Sequence, residues 1–259
     1  MPLTTREPGA SQGPGPRGGL TRRTVGGLLW AAWGKGAQAV LHLLVLAVLA
    51  RLLSPSDFGV VSAALVVIGF SAIFTQLGLG PALVQRPILE QRHLDTAFSF
   101  SLGMAVFVGA AVAAGAPLVA AFFQTPQVEP VVRVLALIFP MQGLALVAES
   151  LARRELRFRW LANIDVAAYG IAYGVVGVGL ALAGWGVWAL ACAELVRVGV
   201  RTAALIVGQE QRPRIAWERA AFGELMYFGG GFTIAKIANY LAVQGDNLVV
   251  GRMLGPAAL

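Results

Sequence analysis

The stretch "LAVLARLLSPSDFG", residues 46–59, leads from an apolar helix-like run through Arg51, two leucines and Ser54 into Pro55. The pattern returns in "QGDNLVVGRMLGPAAL", residues 244–259, where Arg252, Leu254 and Pro256 fall on Arg51, Leu53 and Pro55. Arg, Leu and Pro are common, so the match is either an internal repeat or coincidence. The segments between the two copies bear on that choice.

Apolar residues make up 57% of the 259 residues and charged ones 13%, with a mean hydropathy of +0.72. A soluble domain of this length carries roughly twice that share of charge. A membrane-crossing helix needs about 20 apolar residues, and such runs recur along the whole chain. The single cysteine, Cys192, lies in one of them. It excludes a disulfide framework and a cysteine metal cluster, and its expected role is packing. The net charge of +7 comes in short basic clusters between apolar runs. That is how membrane topology is written, and it argues against a nucleic-acid partner.

Residues 1–24, rich in Gly, Pro and Arg, are expected to form a disordered basic tail rather than a cleaved signal peptide. Seven spans follow, at about 25–50, 58–83, 96–122, 130–152, 161–182, 185–207 and 222–250. Pro117 and Pro140 are expected to kink the third and fourth, which neighbouring helices in a membrane tolerate. Arg6, Arg17, Arg22, Arg23, Arg86, Arg92, Arg153, Arg154, Arg157, Arg159, Arg212, Arg214 and Arg219 fall on one side of this topology; Arg51 and Arg252 fall on the other. Thirteen against two places the N-terminus in the cytoplasm. Trp185 and Trp188 then lie at the outer interface, where aromatic belts form. Six spans separate Arg51 from Arg252, so a repeat would be parallel, an arrangement found in transporters with a substrate site between the halves.

Ionisable residues inside spans are costly and mark sites or pathways by default. Arg133, Glu149 and Asp165 lie near span ends, where side chains reach the interface, and Glu129–Arg133 and Glu149–Arg153 have the i, i+4 spacing of simple pairs. Deeper positions are Lys35 and His42 in span one, Glu194, Arg197 and Arg201 in span six, and Lys236 and Asp246 in span seven. Residues 194, 197 and 201 share one helix face, which must look into the bundle or a wet cavity. Glu194 is expected to neutralise Arg197, leaving Arg201, Lys35 and Lys236 over. The alternative is that these charges form internal salt bridges between helices. With His42 neutral, four cations face Glu194 and Asp246, a balance that suits an anionic phosphate or pyrophosphate group. A pump for cationic drugs would be lined with carboxylates instead. Asn239, Gln244 and Asn247 are expected to bond neighbouring helices, and Gly170, Gly174 and Gly177 of "GIAYGVVG" to share one close-packing face.

Catalytic signatures are missing from the sequence. "GKGAQ", residues 34–38, lacks the upstream Gly and following Ser/Thr of a phosphate-binding P-loop, and with only His42 and His93 there is no histidine metal motif. No GxSxG elbow occurs. The expectation is therefore transport rather than catalysis, without cofactor or metal.

"ARLLSPSDFGVVSAALVVIGF", "LGLGPALVQR", "RRELRFRWLANID", "GWGVWAL" and "GDNLVVGRMLGPAAL" occur in this order from about residue 25 to the end. In that combination the chain resembles the polysaccharide biosynthesis membrane proteins, the oligosaccharide flippases of the multidrug/oligosaccharidyl-lipid/polysaccharide exporter superfamily. The resemblance implies an all-α integral membrane fold in which two bundles of six or more helices enclose a cavity. It implies movement of polyprenyl-pyrophosphate-linked oligosaccharide or polysaccharide across the cytoplasmic membrane. Residues 25–207 would be the six-helix first bundle, 208–221 a cytoplasmic linker, and 222–259 the first helix of a second bundle that the sequence leaves truncated. Arg51, Pro55, Arg252 and Pro256 would be turn and interface structure. Lys35, Arg197, Arg201 and Lys236 are the candidate substrate-binding residues, with His42, Glu194 and Asp246 as coupling or orienting residues. Partners would be the lipid-linked glycan, membrane lipid and glycan polymerase or assembly proteins. A drug antiporter of the same superfamily and a non-transporting scaffold of a glycan assembly complex are the competing expectations.

Overall fold

A computed structural model of the chain describes residues 36, 38–76, 78–209, 211, 213–227, 238–240 and 242–243. Every regular element among them is helical. Helix α1 (Gln38–Leu52) ends at the stretch quoted above, and α2 (Pro55–Gln76) begins there. Ser54 and Asp57 close a reciprocal cap: the Ser54 hydroxyl accepts the Asp57 N–H (3.3 Å) and Asp57 Oδ2 accepts the Ser54 N–H (3.0 Å). Pro55 sits at the first helical position, where its missing N–H is not needed. The SPSD motif is thus a corner between two helices.

Gly78, with φ of 73°, ends the second apolar run and starts a short helix, α3 (Leu79–Gln85). The expected span 58–83 is therefore two elements, because a residue in the left-handed region cannot continue a helix. Helix α4 (Gln91–Phe123) passes through Pro117 without interruption. The expected fourth span is broken instead: α5 (Val128–Leu135) and α6 (Ile138–Arg154) are separated at Ala136 and Leu137, so Pro140 lies in the first turn of α6, where its ring costs nothing. Helix α7 (Phe158–Tyr169) continues through π-helical turns over Gly170–Gly177 into α8 (Val178–Leu182). Helix α9 (Val187–Val207) follows, then α10, described over residues 219–227.

Four segments, Pro55–Thr75, Gln91–Phe123, Val128–Arg154 and Phe158–Leu182, are long and apolar enough to cross a membrane. The seven expected spans are not all recovered by that measure. The described part of α1 is short, α9 carries the three ionisable residues Glu194, Arg197 and Arg201, and most of the expected seventh span lies outside the described residues. Large apolar side chains point outward along the helices, Phe107 69% and Leu118 76% exposed. Water would penalise such a surface; hydrocarbon does not.

Inside, α4 packs on α2, α5 and α6, and α9 packs on α6, α7 and the π-helical turns. Between apolar helices in lipid, close approach and hydrogen bonds supply the cohesion. Ser101, Ala105 and Gly109 form a small-residue stripe on α4, and Gly143 of α6 lies against it. A Cβ on Gly143 would fall 2.8 Å from Ala105 Cβ and 3.0 Å from the Ser101 carbonyl, and Ser101 Oγ donates to the Gly143 carbonyl at 3.1 Å. The glycines of residues 170–177 do not share one partner. A Cβ on Gly170 or Gly174 would meet Leu41 or Val45 of α1, whereas one on Gly177 would fall 3.2 Å from Ala193 Cβ of α9, because the wider turns shift the helical phase.

The two ends of the bundle differ. At the arginine-rich end, Arg154 donates to four carbonyls, those of Leu83, Val84, Arg86 and Pro87, and caps α3. The described part of the expected linker lies along the start of α4: Asp95 accepts the Arg214 N–H (2.8 Å), Ser99 that of Ala216 (2.9 Å) and Thr96 that of Glu218 (3.2 Å). His93, fully buried, accepts the Glu90 N–H on Nδ1 at 3.1 Å. Its Nε2 therefore carries the proton donated to Glu224 of α10 (3.1 Å), which Arg86 also holds. Within the expected seventh span, Tyr240 donates to the Val66 carbonyl of α2 at 2.6 Å, over Gly69.

Gly143→Val should destabilise the detergent-solubilised bundle by about 1–3 kcal/mol, the scale of overpacking, read as a lower thermal midpoint. Gly103→Ala, whose Cβ would meet nothing within 4 Å, should not lower that midpoint, since Ala is favoured over Gly inside a helix.

Candidate functional site

Glu194, Arg197 and Arg201 project from one face of α9 into a cavity of about 680 Å³ between α1, α2, α6, α7 and α9. Glu194 is 7% exposed. It takes a two-pronged bond from Arg197, Nη2 to Oε1 at 2.5 Å and Nε to Oε2 at 2.8 Å, and the Tyr173 hydroxyl donates to Oε2 at 2.9 Å. Tyr173 stacks on Tyr169, centroids 4.9 Å apart, and Tyr169 stacks on His42 of α1 at 3.7 Å. An aromatic column thus runs from α1 to the Glu194 carboxylate.

Arg201 is not left over. Its Nε donates to Asp165 Oδ1 at 2.7 Å and its Nη1 to Glu149 Oε2 at 2.9 Å. Glu149 also holds Arg153 at 2.6 Å, its expected i, i+4 partner, as Glu129 holds Arg133 at 2.7 Å. Glu149 and Asp165 were expected to stay at span ends. Both line the cavity, because α6 and α7 converge on Arg201, a meeting that no spacing along either helix encodes. Among the described lining residues three carboxylates therefore stand against two guanidiniums, Arg197 and Arg201. The expected cationic surplus is not present among them; with Arg153 counted, the network is balanced. Lys35, Lys236 and Asp246 lie outside the described residues.

Gln142 adds a buried carbonyl oxygen, Oε1, without a partner among the described residues. It, Tyr169 and Tyr173 were missed from the sequence. A signal existed: Asp165, Tyr169 and Tyr173 recur every four residues in an apolar run, which keeps them on one face where the turns widen. Guanidinium–carboxylate pairs of this kind can bind and orient an anion or exchange partners; nothing in them is a nucleophile paired with a base. Among the described residues no cluster of His, Cys, Asp and Glu has the form of a metal site.

The family model described as polysaccharide biosynthesis protein matches residues 48–259. The chain belongs to this family. It is similar to the succinoglycan biosynthesis transport protein ExoT of Rhizobium meliloti, 30% identical over 87% of this chain and 46% of that protein. It is also similar to the lipopolysaccharide biosynthesis protein WzxC of Escherichia coli, 26% identical over 91% of this chain and 48% of that one. The teichuronic acid biosynthesis protein TuaB of Bacillus subtilis is 21% identical over 93% of this chain and 50% of its own length. The chain spans about half the length of these curated relatives. No solved structure matches it. Family and apolar helices together make this a multi-pass membrane protein.

Arg201→Gln would leave two carboxylates facing each other across the cavity. It should cost about 1–3 kcal/mol of bundle stability, less than a fully buried pair because the site is partly open, and Glu149→Gln in the same chain should recover part of the loss. Arg153→Gln, on the exposed side of Glu149, should change stability by under about 1 kcal/mol.

Proposed function

We propose that this protein forms one half of a flippase that moves polyprenyl-pyrophosphate-linked oligosaccharide or polysaccharide across the cytoplasmic membrane, with its N-terminus in the cytoplasm. The single observation that carries this is a polar, ion-paired cavity enclosed by apolar helices in a chain of the polysaccharide biosynthesis family. The greater length of the relatives supports a second bundle closing the cavity from the other side, with alternating access between the two. Translocation needs groups that bind and release, and the described site offers those rather than a nucleophile and base.

Arg197 and Arg201 are the residues that would take the pyrophosphate, since paired guanidiniums bind phosphate oxygens in a fixed fork. Each already holds carboxylates, so an incoming dianion must displace Glu194, or Glu149 and Asp165. In a balanced network that exchange requires a cation or proton to neutralise the released carboxylates. Glu194 and the Arg201 partners thereby tie substrate binding to cation uptake. His42 orients the aromatic column beside them.

A second reading, export of a small cationic solute, draws on the three carboxylates of the lining. The two differ in phenotype. In a strain lacking the intact gene, extracted polyprenyl lipids should contain an accumulated lipid-linked oligosaccharide on the cytoplasmic leaflet, cleared by the complete reading frame and not by the same frame carrying Arg197→Glu at normal membrane abundance. Normal lipids together with new sensitivity to cationic drugs would favour solute export and remove the flippase reading.

A further inference from the structure

At the end of the bundle opposite the arginine-rich one, a pocket of about 350 Å³ lies among the α1–α2, α4–α5 and α8–α9 turns. Its wall is Trp185, held on an unusually fixed backbone. Gly184, φ 78°, closes α8: its N–H bonds the Ala181 carbonyl and the Trp185 N–H bonds that of Leu180, the double bond of a Schellman cap. One residue later Gly186, φ 51° and ψ −128°, opens α9, and the Trp185 carbonyl accepts the Trp188 N–H. Both peptide groups of Trp185 are thus engaged between two glycines whose conformations other residues avoid. The indole remains 54% exposed.

Asp57 faces it. Its Oδ2 is used by the cap of α2, taking the Ser54 N–H and hydroxyl. Oδ1 has no hydrogen-bond donor among the described residues and lies 3.3 Å from where a Cβ on Gly186 would be, so glycine there keeps the carboxylate open to the pocket. Gln127 contributes an exposed amide, and Pro130 and Trp188 apolar surface. The lining holds no Lys or Arg.

From this geometry we infer that the pocket is a saccharide subsite that stacks a neutral pyranose on Trp185, with Asp57 Oδ1 and Gln127 bonding its hydroxyls. A pyranose has an apolar C–H face, which suits an aromatic wall, and a rim of hydroxyl donors, which suits an open carboxylate and an amide. A pyrophosphate would meet the Asp57 charge without a counter-ion, and an acyl chain would leave that carboxylate unsatisfied. The volume accommodates one sugar ring with its water, within the lower range of small-ligand pockets. The inference rests on the flippase reading for its expectation of a glycan, which this end would meet after crossing.

The test uses the full chain in lipid nanodiscs and free cellotriose and maltotriose as probes, followed by saturation-transfer NMR and tryptophan fluorescence. At least one sugar should give a saturable response in the millimolar range. Trp185→Ala should weaken it by about tenfold or more, the order of loss when an aromatic stacking partner is removed, while Trp185→Phe, which keeps a flat apolar face, should stay within about threefold. Thermal midpoints of both variants report folding. Binding that Trp185→Ala leaves unchanged, or no response to either sugar from a folded wild-type chain, overturns the inference. So does Trp185 fluorescence quenched by brominated acyl chains and indifferent to sugar, the signature of a membrane anchor alone. Because no transport is involved, sugar binding without lipid-linked oligosaccharide accumulation in the deletion strain would remove the flippase reading and leave the subsite standing. Accumulation without binding would do the reverse.

Discussion

Arg201 is the point on which three helices depend. Its guanidinium leaves α9, bonds Asp165 on α7 and Glu149 on α6, and Glu149 passes the connection to Arg153. In hydrocarbon an unpaired charge is untenable, so α6, α7 and α9 have little freedom to separate unless another ion takes the vacated place. The same pairing that fixes the bundle therefore also lines the cavity. Glu194, Arg197 and Tyr173 repeat the device one turn nearer the middle of α9 and extend it through stacked rings to α1. Cohesion and the charged lining of the cavity draw on one set of side chains.

Away from this network, cohesion comes from close contact. Ser101, Ala105, Gly109 and Gly143 let α4 and α6 approach until side chain meets backbone, the packing that works when the surrounding solvent is as apolar as the helices. The ends are specialised differently. At one, Arg154 caps α3 while His93 and Arg86 hold Glu224, so α10 is attached to the start of α4. At the other, glycines fix a tryptophan beside an open carboxylate.

The sequence by itself determined the class of molecule. Apolar runs of membrane length, sparse charge and ordered motifs such as "ARLLSPSDFG" suffice for an all-helical membrane protein of its family, because lipid admits few alternatives. It also determined that Glu194, Arg197 and Arg201 share a face, since helical periodicity is local. What only the tertiary structure decided is which charges meet. Glu149 and Asp165 are near span ends in sequence, and they reach the cavity because α6 and α7 converge on Arg201. The break at Ala136–Leu137 and the π-helical turns at Gly170–Gly177 set helix phase in ways that a uniform 3.6-residue period does not carry. A charge balance depends on partners brought together across the bundle: a count along the chain leaves Arg201 over, where the fold pairs it with Asp165 and Glu149.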